Sequence, residues 1–456
     1  MRILLDVTRT LARRFNRTPT GIDRVELAFI KWTIDRAKKG EIEAFFIISA
    51  ANMHAALTVS EIAKVIREVE DSWGKAGSND MEYHELVSFL KRPTRRAPLE
   101  VGAARFKCGG AQRRTFSHPY FLIGKLLING RNRFVRLMVH ARKVETIYVH
   151  TGHDQVELKG LFGWLETHKI RSVFFVHDTI PLDYPEFCGQ NSRLTHLKRM
   201  DTIATYASHI VVNSQYTKDR LAAYLPPEAG ISITVSGLGT TIDQYEGRTV
   251  HPIKTATPYF VCLGTIEGRK NIAHLISVWR QIFSDVGPKA TPRLLLVGKR
   301  GWECETIFDV LDRTAELAPY IAEVEGLKDV QLANLIEGAA ALLAPSWVEG
   351  FSLPPVEAVC RGVPVIASDI PVHREILKDH ALLLDPTDGI GWKNAILDLA
   401  WNPESRERSS QRAGQFPQKT WDSFVTDCFE GLPPRVQRPA PRARYEDLAM
   451  PHARAG

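Results

Sequence analysis

Residues 344–369 read APSWVEGFSLPPVEAVCRGVPVIASD, and this stretch decides the fold. Leu342, Leu343 and Ala344 end a short apolar run suited to a buried strand. Pro354 and Pro355 suit the first turn of a helix, where a missing N–H leaves no bond unmade. The order strand, loop, helix follows. The backbone N–H groups of Phe351, Ser352 and Leu353 are then expected at a helix start with its partial positive charge, a place suited to a phosphate or a sugar oxygen. Glu349 and Glu357, eight positions apart, flank that place, Glu349 beside Gly350 in the loop and Glu357 in the first helical turn. A carboxylate accepts paired hydrogen bonds from a vicinal diol, the group that sugars and riboses present. Two solvated glutamates beside a helix start would satisfy the same spacing, since acidic residues are favoured there.

The string Glu349-Gly350-Phe351-Ser352-Leu353-Pro354, followed by Glu357-Ala358 and Gly362-Val363-Pro364-Val365, resembles the donor site of family 4 glycosyltransferases, whose pattern is E-x7-E within an EGFGLP-type stretch. The resemblance implies that Glu349 holds hydroxyls of the transferred sugar and Glu357 the ribose of the nucleotide. Ser352 stands where glycine is commoner, which narrows the space expected beside the donor sugar.

A second motif supplies positive charge. The strand-like run Tyr259-Phe260-Val261-Cys262-Leu263 leads into Gly264-Thr265-Ile266-Glu267-Gly268-Arg269-Lys270-Asn271 and then a helical pattern through Ile272, Leu275, Ile276 and Trp279. A nucleotide diphosphate leaving group gains negative charge as the sugar bond breaks, and Arg269 and Lys270 can meet it where it develops. No Asp-x-Asp triplet, a common holder of a divalent metal in transferases, occurs in the chain. No metal is therefore expected. The string is similar to the family's GT-x-E-x-RKN segment, where the basic pair binds the diphosphate and Gly264 lies beside it. Thr265 stands where some members place an arginine.

The first half carries two further motifs. Arg2-Ile3-Leu4-Leu5-Asp6-Val7 is strand-like, and after a polar, basic stretch Thr18-Pro19-Thr20-Gly21-Ile22-Asp23-Arg24-Val25 opens a helix. Glycine there permits close backbone approach, and the string is similar to a loop in which the glycine faces the donor phosphate across a cleft, which assigns that place to Gly21. Val173-Phe174-Phe175-Val176 ends at His177-Asp178, followed by Thr179-Ile180-Pro181-Leu182-Asp183-Tyr184-Pro185-Glu186. In open α/β sheets the carboxyl end of a strand is where ligands bind. The string looks like one found in bacterial mannosyl- and rhamnosyl-type members, in which the histidine approaches the donor sugar. His177 is thus expected to orient substrate, with Asp178 as its partner or an acceptor contact; a structural turn capped by Asp178 is the competing reading. Thr151-Gly152-His153 is placed on the acceptor side.

Strand-like runs near 2–7, 43–48, 146–150, 172–177, 209–213 and 231–235 alternate with helical patterns, and the rhythm resumes at 259–263, 293–297, 340–344, 363–367 and 381–384. Such alternation predicts an α/β protein with two doubly wound parallel sheets. The resemblance makes these two Rossmann-like domains facing across a cleft, the GT-B arrangement. The expected boundaries are an acceptor-side domain at 1–246, a nucleotide-sugar domain at 258–412, a helix at 413–431 that returns to the first domain, and a disordered tail at 432–456.

Residues 91–143 carry many lysines and arginines against a single acid, Glu100, with apolar residues interleaved as in Tyr120-Phe121-Leu122-Ile123-Gly124-Lys125-Leu126. That composition suits an anionic membrane surface; no nucleic-acid recognition motif accompanies it. No apolar run reaches the ~20 residues that span a bilayer and no secretory signal opens the chain, so a cytoplasmic or inner-face peripheral location is expected. The six cysteines show no C-x2-C spacing and are expected as reduced thiols. Together these readings predict a retaining glycosyltransferase that uses no cofactor and moves a hexose from a nucleotide-diphosphate donor to a glycan or lipid-linked glycan. GDP-mannose is the first choice of donor, on the His177 motif alone. A nucleotide-sugar epimerase of the same architecture and a non-catalytic nucleotide-sugar-binding subunit are the alternatives.

Overall fold

The computed structural model describes residues 1–14, 19–50, 52–74, 80–92, 102–108, 119–240, 250–302 and 304–434. Two seven-stranded sheets organise it. In the first half the strands are β1 (Arg2–Asp6), β2 (Glu43–Ala50), β3 (Met53–Leu57), β4 (Ala104–Lys107), β5 (Thr146–His150), β6 (Arg171–Val176), β7 (His209–Val212) and β8 (Ser232–Val235). In the second half they are β9 (Tyr259–Leu263), β10 (Arg293–Val297), β11 (Ile321–Glu325), β12 (Ala341–Ala344), β13 (Val365–Ser368) and β14 (Leu382–Leu384). The first sheet has the order β3-β2-β1-β5-β6-β7-β8 and the second β14-β13-β12-β9-β10-β11-β4. All pairings are parallel except β2 with β3. Parallel strands need both faces covered, and each sheet is sandwiched between apolar layers, with Phe174 and Val212 on one side of the first and Phe175 and Val211 on the other.

Both sheets reverse strand order beside their first strand, between β1 and β5 and between β9 and β12. Ligands of open α/β sheets bind at such switch points, at the carboxyl ends of the strands. The Gly21 motif lies between β1 and β2, after the helix Thr8–Arg13, and the other three motifs directly follow β6, β9 and β12. The helix Trp421–Glu430 lies on the first domain: Phe424 meets Phe29 edge-on at 5.8 Å, Phe429 stacks on Trp32 at 4.6 Å, and Trp32 Nε1 donates to Thr426 Oγ1 at 3.0 Å. Trp421, Phe424, Val425 and Cys428 are buried, and each large apolar side chain so buried contributes roughly 1.5–3 kcal/mol.

One segment lies elsewhere than its place in the chain suggests. The helix Met81–Lys91 and strand β4, expected with the first domain, dock on the second. β4 extends the second sheet beside β11, and Leu86, Leu90 and Phe106 join Tyr259, Val261 and Leu295 in one apolar cluster. The buried Arg293 donates to the carbonyls of Leu90 and Arg92 at 2.6 and 2.7 Å, capping the end of that helix. Arg105 pairs with Glu323 and Asp312, which Arg300 also holds. The basic stretch is therefore divided. Residues 93–101 and 109–118 and the tail from 435 lie outside the described residues.

Candidate active site

The second wall of the cleft is built on β9 and β12. After β9 the chain turns at Gly264, whose φ of +145° and close neighbour Lys270 Cε (3.0 Å from where a Cβ would stand) call for glycine. Gly298, after β10, is equally constrained: a Cβ there would lie 1.9 Å from the Gly264 carbonyl oxygen. After this tight crossing Gly268, Arg269 and Lys270 form a 3-10 turn against the loop that follows β12. Trp347 N–H donates to the Arg269 carbonyl at 2.9 Å, so the basic turn and the glutamate loop are tied by main chain as well as by charge.

Glu349 is the centre of that charge. Its Oε2 accepts from Arg269 Nη1 at 2.6 Å, and its Oε1 accepts from Lys270 Nζ at 2.5 Å and from Ser346 Oγ at 2.8 Å. Glu349 is only 5% exposed. Burial by itself would raise its pKa, but the Arg269 and Lys270 charges and their hydrogen bonds outweigh it and hold the carboxyl well below the usual range. Burial likewise works against the Arg269 cation, and Glu349 and Glu267 overcome it, so the guanidinium is held more firmly charged. Arg269 Nε also pairs with Glu267 at 2.6 Å. Arg269 Nη2 and two of the Lys270 hydrogens keep no hydrogen bond to a described residue, which leaves donors for an incoming anion.

The helix after the loop is Leu353–Cys360, entered through Ser352 at φ 71°, ψ 69°. Proline at its start removes two N–H groups, so the donors at this end are those of Phe351, Ser352 and Leu353, and none of these makes a hydrogen bond within the described residues. The structure gives Ser352 a different meaning from a filled space. The position requires a left-handed backbone, which glycine adopts freely and serine at a cost of roughly 1–2 kcal/mol. Glu357 is buried, at the fifth residue of the helix and so one turn further in than the first turn assigned to it. Phe351 is buried with its ring near Gly237, so it fills the seam behind the loop, while its N–H remains at the helix start.

The first wall meets this one at Gly350. A Cβ on Gly350 would lie 2.4 Å from the His177 carbonyl oxygen and 2.9 Å from Asp178 Cβ, and its own carbonyl accepts from Ser214 Oγ at 2.8 Å. Only glycine fits between the walls. His177, at the end of β6, is buried, and its Nε2 lies 2.7 Å from the Thr151 carbonyl oxygen. A carbonyl only accepts, so Nε2 carries the proton and Nδ1 keeps its lone pair. Burial pushes the His177 pKa down to about 4, against the pull of the Thr151 carbonyl and Asp178. His153 stacks edge-on with His177 at 5.0 Å and with His196 at 5.4 Å, and burial and the neighbouring histidines hold its pKa well below the usual value. Asp178 does not hold the His177 ring. Its Oδ1 accepts from Ile180 N–H at 3.1 Å, capping the short helix that follows, and burial raises its pKa against the opposing pull of Arg269.

Gly21 opens the helix Gly21–Lys38 and faces the second wall, with Leu353 Cδ1 3.4 Å from where its Cβ would be. Thr20 and Asp23 close a capping box at that helix start. Arg9, which no motif contains, binds Asp23 at 3.1 Å and Asp154 at 2.7 Å, and Arg24, from the Gly21 string, reaches across to Asp329 at 2.8 Å. Glu375 crosses in the other direction and accepts from the N–H groups of Gln215 and Tyr216, at the start of the helix Gln215–Leu221. Among the described residues no three His, Cys, Asp or Glu side chains converge as metal ligands.

Residues 243–416 match the family described as glycosyl transferases group 1. Over 275 residues the chain is 27% identical to the serotype-specific mannosyltransferase WbdA of Escherichia coli, covering 57% of this chain and 33% of that protein. Over 244 residues it is 27% identical to the O-antigen chain mannosyltransferase RfbU of Salmonella typhimurium, covering 53% of this chain and 64% of the relative. The chain thus spans about a third of the length of the WbdA proteins it matches. In three dimensions it is similar to sucrose-phosphate synthase from Thermosynechococcus elongatus (TM-score 0.56, 16% identity, 94% of this chain and 97% of that one) and to HepE of Anabaena, solved with UDP and glucose (TM-score 0.53, 13% identity, 95% and 100%). Those likenesses carry the two-domain GT-B fold. With the E-x7-E loop and the basic turn both inside the matched residues, residues 243–416 are a glycosyl transferases group 1 domain.

Proposed function

We propose that the protein is a retaining, metal-independent mannosyltransferase that takes its sugar from GDP-mannose and acts in the assembly of a surface polysaccharide. The observation that carries this reading is the Glu349 cluster: one carboxylate fixing two cations whose remaining donors are unspent, beside unpaired N–H groups at a helix start. A diphosphate accepts from such donors, and the charge that it gains on bond cleavage is stabilised without a bound ion. Glu349 and Glu357 then serve the sugar hydroxyls and the ribose. The neutral His177 offers Nδ1 as an acceptor to a sugar hydroxyl. Mannose is favoured because the relatives over 275 and 244 residues are mannosyltransferases. Retention is what the resemblance to the family implies, and with no side chain among the described residues of the site placed as a covalent nucleophile, departure and attack then share one face. The acceptor is a glycan or lipid-linked glycan bound on the first wall, near Arg9, Asp154 and His153.

The test is a donor screen with GDP-mannose, UDP-glucose and dTDP-rhamnose, read by melting temperature and by transfer to a mannose-terminated acceptor. GDP-mannose at one hundred times its dissociation constant stabilises the fold by about 2.7 kcal/mol, and the product keeps the anomeric configuration of the donor. If no nucleotide sugar raises the melting temperature, the proposal fails; if another donor does, the mannosyl assignment fails.

A further inference from the structure

The sequence contains no Asp or Glu between Glu100 and Glu145. The fold disposes of part of the positive charge in this stretch: Arg105 is consumed by Glu323 and Asp312, and Arg133 donates to the Ala56 carbonyl and Glu61. Lys107 pairs with Glu325, and of the described cations that remain, Lys125, Arg131 and Arg136 lie on one helix, Pro119–His140, which runs along β3 at the outer edge of the first sheet. Leu127, Phe134, Leu137 and Met138 bury its inner face, and Gly130 lets it sit close, since a Cβ there would be 2.9 Å from Ala55 Cβ.

Its outer face is not the polar surface expected of a solvated helix. Ile128, Val135 and Val139 are 78%, 53% and 69% exposed. At 100° per residue these three fall within about 40° of one another, on a line facing away from the sheet. Arg131 lies on one side of the line and Lys125 and Arg136 on the other; all three are exposed and none pairs with a described carboxylate. An aliphatic ridge flanked by three cations, one on one side and two on the other, with no acid on the helix, is the pattern of a helix that lies in the interface of an anionic bilayer. No described helix is long and apolar enough to cross a membrane, so the contact would be made in the plane. The aliphatic ridge also favours lipid over nucleic acid, whose binding uses cations with polar or aromatic groups and would gain little from exposed valines.

We infer that the outer face of the helix Pro119–His140 docks on anionic lipid headgroups, with Ile128, Val135 and Val139 entering the acyl boundary and Lys125, Arg131 and Arg136 holding the lipid phosphates. This inference is independent of the donor site, and its failure would leave the glycosyltransferase reading untouched. The test is co-sedimentation of the full chain with vesicles of phosphatidylcholine alone or with one-third phosphatidylglycerol. The full chain is expected to bind the anionic vesicles only, less so as salt is raised. Replacing the three cations (K125Q, R131Q, R136Q) lowers that binding about 100-fold. Replacing the ridge (I128S, V135S, V139S) also weakens it, with all charges kept. Because every substituted side chain is exposed, both variants keep the wild-type melting temperature and nucleotide-sugar binding. Failure of the wild type to bind anionic vesicles overturns the inference, as does unchanged binding by the cation variant. Binding to a DNA duplex that exceeds binding to vesicles and survives the ridge substitutions overturns it in favour of nucleic acid.

Discussion

The two walls of the cleft handle charge in opposite ways. On the second, Arg269 and Lys270 both pair with the buried Glu349, and the mutual attraction of Arg269 and Glu349 holds those two ionised against burial. On the first, His177, His153 and His196 pack ring against ring with burial holding each one neutral. The same low-dielectric surroundings produce both results, because burial disfavours a charge only until a partner compensates it. One wall is thereby prepared to receive an anion. The other can orient hydroxyl groups without adding a charge that competes for it.

Substitutions on the charged wall break this division most severely. Removing both cations (R269A with K270A) is expected to lower kcat/KM by about a thousandfold or more, since they act where charge develops in the transition state. Glu349→Gln has a mixed effect: kcat/KM falls about a hundredfold, and chemical denaturation shows a loss of about 3 kcal/mol because two buried cations lose their shared partner.

The neutral wall reveals itself in acid. Between pH 6.5 and about 4 the unfolded chain takes up a proton at His177 that the folded chain resists, so stability falls as pH drops through that window. The depressed Glu349 carboxyl contributes stability that is lost only at lower pH, below about 4.5, where the unfolded carboxyl is protonated. Denaturant titrations from pH 7 to 4 should therefore show a decline that is shallower in His177→Gln and unchanged in slope above pH 5 in Glu349→Gln. The smallest effect belongs to the loop between the walls. Ser352→Gly relieves a left-handed serine and raises stability by about 1 kcal/mol.

Much of this site was legible in the chain because its chemistry is local. Glu349, Gly350 and the prolines lie within a few residues, as do Gly264, Arg269 and Lys270, and the strands that precede them are short apolar runs. Three strands were not legible, each for a physical reason. β3 (Met53–Leu57) has no β-branched residue, β4 (Ala104–Lys107) has one buried apolar side chain among basic ones, and β11 carries the buried Glu323, neutralised by Arg105 and Arg300 from other parts of the chain. Arg9 was equally hidden: its partner Asp154 is 145 positions away, and nothing near Arg9 reports that pairing. What packing decides, such as the fit of Gly350 against the His177 carbonyl, has no signature in spacing, whereas the turn made by Asp178 is one of the two readings its position offers.

The central claim is that side chains, not a bound cation, receive the diphosphate. It is tested most directly by titrating GDP into the wild-type protein and into R269A/K270A, each with and without EDTA. The account predicts tight binding to the wild type that EDTA leaves unchanged, and loss of binding in the double variant. Binding that survives the double substitution and disappears with EDTA would contradict it.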